Sequence, residues 1–299
     1  MNSISAYFAL TTILLCSLPS VAGNLAISSG YQTSEHQYLE DTSTQKGVLF
    51  GAALDFHHWR RKDIGWFARG PAFKISQAPG MLAISGQLPL YQWHKHQGSW
   101  LEIEWRSQEL QTQLSDPQIF LGNDGVPVSL TQDSIIGTTR QFQRLQIYWH
   151  ESTRHENIIN LAGFTFSRES SPAISELSST NASIFEGRFE GSGVMLGRMK
   201  DDRGLNFQWR LNVASLDSHF SNDATQHRLL AKQESSVYKV AITLSWHYRY
   251  YLSPYWYLVP QVQYRASYLT QSELEPVDVE HSSFLYTHTQ STISLRRHF

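Results

Sequence analysis

Charged side chains recur at every second position through much of this 299-residue chain. Glu102, Glu104 and Arg106 do so, as do Glu186, Arg188 and Glu190. Arg140, Arg144, His150, Arg198, Arg210, Lys239, His247, Arg249 and Arg265 stand in similar alternating contexts. In an extended strand, alternate residues share one face, so these groups are expected to collect on one side of a sheet. Opposite charges gathered there can pair across an enclosed space, as a network that fills and stiffens it, or can line a narrow aqueous path. Both readings stay open. His94 and His96 also share a face and could hold a transition metal. They lie beside a predicted turn with no carboxylate or third histidine close in sequence, so they read as solvated turn residues. Neither a metal nor a cofactor is expected. The most specific local motif is His219-Phe220-Ser221-Asn222.

The composition restricts what can position these groups. Hydrophobic residues make up 41% and aromatic residues 13% of the chain, and mean hydropathy is −0.35. Long apolar runs are missing after residue 16. Apolar residues alternating with polar ones on every strand give such an average. The 24 Lys and Arg against 26 Asp and Glu show no basic bias, so no nucleic-acid partner is expected. Residues 1–23 read as a signal peptide: Ala6 to Cys16 is apolar but too short to span a bilayer, and Pro19 and small residues follow. Cleavage after Ala22 or Gly23 is expected. Leu15 is too large for a lipidation signal at Cys16. That cysteine is the only one, so the mature chain carries no disulfide or cysteine metal site.

The rest of the chain, 24–299, shows the period-two pattern of strands. Trp256, Leu258, Val262, Tyr264 and Tyr268 alternate with Gln261, Gln263, Arg265 and Ser267. Tyr238, Val240, Ile242, Leu244, Trp246 and Tyr248 alternate with Lys239, Thr243, Ser245 and His247. Leu205, Phe207, Trp209, Leu211 and Val213 oppose Asn206, Gln208, Arg210 and Asn212. Aromatic residues concentrate near the ends of the apolar faces, as in girdles at two membrane interfaces. A soluble sandwich also alternates, but strands of twelve to seventeen residues exceed its usual length. The expected fold is therefore all-β: a transmembrane antiparallel barrel.

Twelve strands are expected, near 24–33, 47–59, 64–76, 81–94, 99–110, 137–151, 157–168, 183–199, 204–219, 235–252, 254–270 and 283–299. Ten is the alternative. Mostly long connections at 34–46, 111–136, 169–182, 220–234 and 271–282 alternate with short polar ones, the outer-membrane arrangement with short periplasmic turns. Both counts place the termini in the periplasm.

Three resemblances bear on function. The final strand ends in Phe299 with Ile293 and Leu295 on one face, and so resembles the terminal strand of outer-membrane barrels, where the last aromatic serves insertion by the barrel-assembly machinery; Arg297 departs from that pattern. A barrel directly after a leader is similar to the solitary autotransporter-type barrels, which carry no passenger. The motif at His219 to Asn222 resembles the His-x-Ser-Asn motif of PagL-type lipid A deacylases. That resemblance implies Ser221 as nucleophile, His219 as its base and Glu234 as the orienting carboxylate. Parity would put all three on the lipid-facing series near the outer rim, where lipopolysaccharide sits. That family has a smaller barrel with its motif on the last hairpin, whereas two strands follow here.

The sequence thus points to a non-enzymatic outer-membrane barrel, structural or a narrow pore, in contact with outer-membrane lipid and lipopolysaccharide. A lipid A acyl-ester hydrolase is the alternative. A third reading, an adhesin or receptor, rests on the segment 111–136 with its Gly122-Asn123-Asp124-Gly125 turn.

Overall fold

A computed structural model describes residues 23–38, 41–56, 60–61, 65–66, 71–94, 97–113, 118–121, 127–131, 135–152, 158–178, 181–201, 205–221, 235–271 and 283–298. Residues 1–22 of the expected leader and Phe299 lie outside the described residues, while Gly23 begins the first strand.

Twelve strands form the wall: β1 (Gly23–Tyr38), β2 (Asp41–Phe56), β3 (Ala72–Ala78), β4 (Met81–His94), β5 (Gln97–Gln113), β6 (Ile135–Ser152), β7 (Ile158–Ser178), β8 (Asn181–Asp201), β9 (Leu205–Ser221), β10 (Ser235–Tyr248), β11 (Trp256–Gln271) and β12 (Ser283–His298). Each pairs antiparallel with its chain neighbour, and β1 pairs with β12 from Asn24↔His298 to Tyr38↔Phe284. The barrel is closed, so no wall strand leaves an open edge.

The register fixes its dimensions. Followed from strand to strand, the pairings run from Asn24 to Asp55, Ala72, Gln87, Glu102, Gln146, Thr165, Gly193, Ala214, Lys239, Leu269 and Phe284, and return to β1 at Tyr38. The circuit closes 14 residues further along, from 24 to 38, which is the shear of the barrel. With strand spacings near 3.3 and 4.8 Å, that shear tilts the strands by about 39° and sets a backbone radius of about 12 Å. Side chains from opposite walls can meet at that radius.

Directly paired residues share a face, so the same circuit sorts the barrel into inside and outside. Outside, Ile27, Phe50, Phe164, Val194, Leu211, Ile242 and Ile293 form a continuous apolar band; Phe164 and Ile293 are 61% and 60% exposed. Along β10 the band runs from Tyr238 to Tyr248, about 25 Å at this tilt. Exposed apolar surface of this extent is stable against hydrocarbon and not against water. The interior is largely polar, and its apolar exceptions form small clusters. Phe189, Ala214, Leu216, Val237 and Leu269 pack together in one; Trp100, Tyr148, Leu161 and Met195 form another.

The ten-strand alternative is overturned, and several boundaries shift. The third strand is 72–78 rather than 64–76, and Arg60–Arg61 pairs with Gly65–Trp66 before it. Over their described residues, the expected loops 34–46 and 169–182 are continuations of β1/β2 and β7/β8. There the strands project beyond the apolar band, and the regular alternation that marks them in sequence lapses. Within 111–136, Gln118–Leu121 and Pro127–Leu130 form a hairpin, and Phe120 pairs with Ala182 of β8. The tight connection between β3 and β4 is Pro79-Gly80, with Gly80 at φ 66°, the glycine position of a proline-led type II turn. On β8, Gly191 and Gly193 lie so close to β9 that a Cβ would run into the Ser215 and Val213 carbonyl oxygens.

Candidate functional site

The inward positions of β5 carry Trp100, Glu102, Glu104, Arg106 and Gln108, while Leu101, Ile103 and Trp105 face out. Glu102 and Glu104 stand near mid-height. The Arg210 Nη1 of β9 donates to Glu102 Oε2 at 2.7 Å, the Gln87 Nε2 of β4 to the same oxygen at 2.9 Å, and the Arg144 Nη2 of β6 to Oε1 at 2.9 Å. Arg265 of β11 reaches Glu104 Oε1 at 2.6 Å, Arg106 reaches the same oxygen at 3.3 Å, and Arg144 lies 2.7 Å from Oε2. Strands β5 and β11 are six places apart in a ring of twelve, so the Arg265–Glu104 pair spans the lumen from wall to opposite wall. The two carboxylates and four guanidinium side chains are nearly buried, at 8–13% exposure.

A second cluster sits above the first, toward the end away from the termini. Glu169 of β7 binds Arg140 of β6 through both Nε and Nη2 and accepts from Lys239 Nζ of β10 at 2.5 Å. The Arg140 guanidinium lies 3.5 Å from the ring centroid of Tyr286 on β12. The Tyr286 hydroxyl accepts from Arg106 at 3.1 Å and donates to Gln108 at 3.0 Å, which links the two clusters. Further polar side chains line the interior around these clusters. Gln146 donates to Asn212 at 2.6 Å, Gln32 to Gln45 at 2.9 Å, and Ser34 pairs with His288 Nδ1 at 2.7 Å. At the end bearing the termini, Arg296 meets Asp55 at 3.4 Å and Trp100 donates to His150 at 2.8 Å.

The structure thus brings Glu102, Glu104, Arg106, Arg144, Arg210 and Arg265 into one network, and Arg140 and Lys239 into the second. His247 stands on the inward series near the end of β10, below both, and Arg249 follows just beyond that strand. Arg188, Glu190 and Arg198 are a correction. On β8 the inward series is odd, with Phe189, Gly191, Gly193, Met195 and Gly197, so these three even-numbered residues face out. Arg168 and Arg188 flank Glu190 there at 3.7 and 3.8 Å, with side chains 40–45% exposed. The side chain of Glu186 lies outside the described residues.

Glu169, the anchor of the second cluster, was missed because the sequence reading ended its strand at 168. Its signal was present: Thr165, Ser167 and Glu169 continue the odd polar series. Lys74 of β3 was also missed, and it lies within electrostatic reach of Glu104, Arg106 and Arg265.

His219 and Ser221 lie at the end of β9, where register pairs them with Arg188 and Glu186. Their side chains, and Glu234 altogether, lie outside the described residues. So do the side chain of His94 and the whole of His96. Among the described residues no group of three or more His, Cys, Asp or Glu is placed to hold a metal ion.

No protein-family model and no curated protein matches the chain. Solved structures similar to it include the β domain of the Bordetella autotransporter BrkA, at 13% identity over 94% of this chain and 100% of that one, with a TM-score of 0.40. A Pseudomonas aeruginosa FadL homologue gives 8% identity, 93% and 90% coverage and a TM-score of 0.42. The outer-membrane protease OmpT of Escherichia coli gives 10%, 95% and 98%, and 0.37. These likenesses carry no argument about this chain's activity, and the barrel rests on its own closed register.

Proposed function

We propose that the protein is a non-enzymatic barrel of the bacterial outer membrane, with its termini in the periplasm, and that it acts as a narrow pore preferring anions. The observation that carries this is the imbalance of charge around Glu102 and Glu104. Two carboxylates there face four guanidinium groups, Arg106, Arg144, Arg210 and Arg265, and register puts Lys74 in the same row, two strands from Glu104. The Nε groups of Arg106, Arg144 and Arg265 are buried and find no acceptor among the described residues. A network meant only to stiffen the barrel would gain most from matched charges, because an unpaired buried charge is costly. A positive excess inside a low-dielectric wall instead concentrates anions. The Arg265–Glu104 bridge across the lumen narrows the path at mid-height, so conductance is expected to be small.

Planar-bilayer recording under a KCl gradient tests this. Wild type should give small steps with a reversal potential on the chloride side, and Arg210→Gln with Arg265→Gln should move it toward the potassium side. Wild-type protein that stays at lipid background in repeated insertions would sink the pore and leave a closed structural barrel.

A further inference from the structure

The outer wall is not uniformly convex. At the lower margin of the apolar band, toward the termini, a cavity of about 540 Å³ opens between β6 and β9. Register builds it from two rows of outward residues. In the upper row Trp149 of β6 pairs with Ala162 of β7, and Ala162 pairs with Leu196 of β8. Ala162 is the floor, since its methyl group stands between two much larger side chains; Trp209 closes the far side. In the lower row Glu151, Asn160, Arg198 and Trp209 follow one another across the strands.

The lower row is polar in an ordered way. Glu151 accepts from Gln97 Nε2 at 2.8 Å on its far side, and Asn160 stands between Glu151 and Arg198. Asn160 Oδ1 accepts from Arg198 Nε at 2.9 Å, which anchors the guanidinium by one edge. Arg198 is exposed, and its terminal nitrogens have the geometry for bidentate binding of a phosphate. An apolar slot between two tryptophans, ending in an anchored arginine at the edge of a hydrocarbon band, matches one occupant in order along its length. An acyl chain fits the slot, and a phosphodiester fits its mouth. The volume falls within the range of about 300–1,000 Å³ typical of small-molecule sites.

We propose that this groove is a binding site for one anionic glycerophospholipid of the leaflet nearest the termini, with an acyl chain on Ala162 and the phosphate on Arg198. Ordinary boundary lipid would contact the whole band without preference. This site selects by the arginine and by the missing side-chain volume at residue 162.

Native mass spectrometry of the detergent-purified barrel, titrated with palmitoyl-oleoyl-phosphatidylglycerol or with the matching diacylglycerol, tests it. Heat-modifiable migration serves as the folding check. Wild type should retain one phosphatidylglycerol in preference to diacylglycerol. Ala162→Phe should lose both lipids. Arg198→Gln should lose about tenfold in phosphatidylglycerol affinity, which corresponds to about 1.4 kcal/mol, and leave diacylglycerol retention unchanged. If Ala162→Phe is poorly folded, Ala162→Val and Arg198→Gln carry the test alone. Equal retention of phosphatidylglycerol by wild type, Arg198→Gln and the folded residue-162 variant would overturn the site.

Discussion

Strands β5 and β8 carry almost the same charged text, Glu102-x-Glu104-x-Arg106 in one and Glu186-x-Arg188-x-Glu190 in the other, and the barrel treats them oppositely. On β5 the charges face the lumen and are nearly buried. On β8 Arg188 and Glu190 face out with 40–45% of each side chain exposed. The intervening residues decide. Leu101, Ile103 and Trp105 must lie against hydrocarbon, whereas Phe189 packs inward against Ala214, Leu216, Val237 and Leu269, and Gly191 and Gly193 lie against the β9 backbone. Height matters as well. The β8 charges stand above the apolar band, where an outward charge meets water and headgroups, while those of β5 lie at the level of the bilayer and have only the lumen. A charge at every second position therefore marks a strand without saying which face is inside.

The comparison is tested most severely at Glu104, which should show the largest effect. Glu104→Ala leaves Arg265, Arg144 and Arg106 without their shared acceptor. Removal of one partner from a buried ionic network costs about 3–5 kcal/mol. Urea unfolding of the barrel in lipid vesicles should show a loss of that order, and single-channel steps should widen because the bridge between β5 and β11 is gone. Stability within about 1 kcal/mol of wild type would mean that the lumen is wet enough to screen these charges.

Phe189→Ala comes next and asks whether the inward face of β8 is assigned correctly. Phe189 is 1% exposed. Loss of a buried phenyl ring that cannot be refilled costs about 3 kcal/mol or somewhat more. If β8 were flipped, so that Phe189 faced outward and Glu190 faced the lumen, this substitution would be nearly silent and Glu190→Gln would be severe.

Glu190→Gln should in fact be mild. It removes only long contacts of 3.7 and 3.8 Å to Arg168 and Arg188 in an exposed setting, where such pairs contribute about 0–1 kcal/mol. The same urea series, run beside Glu104→Ala, should separate the two carboxylates by several-fold in their effect on unfolding free energy.

Much of the wall was legible in the sequence because the bilayer imposes a strict alternation over its thickness. β9, β10 and β11 stand out for that reason: each presents a long outward series of apolar residues, nearly all of them large. Where the strands leave the hydrocarbon the constraint lapses, so the outer ends of β1, β2 and β7 read as loops, and Glu169 was lost with them. β1 reads weakly as well, with Ser29 and Thr33 among its outward positions, yet it is held from both sides by β2 and β12. Which charges pair was not legible. Arg265 and Glu104 are 161 residues apart, and only the shear of the barrel brings them face to face.

The smallest effect is expected at the rim, beside the exposed charges of β8. Register sets His219 opposite Arg188 and Ser221 opposite Glu186, at the end of β9 beyond the apolar band. If Ser221 were the nucleophile that its motif resembles, Ser221→Ala would abolish loss of an acyl chain from lipid A and leave assembly untouched. On the non-enzymatic reading that substitution changes neither lipid A nor stability, since a surface substitution away from special features stays within about 0.5 kcal/mol. Mass spectrometry of lipid A from cells expressing wild type, Ser221→Ala or empty vector distinguishes the two. Three identical spectra are expected. A deacylated species present only with wild type would make the outer end of β9 a catalytic rim, and the contrast between β5 and β8 would then be one between a pore and an esterase on the same barrel.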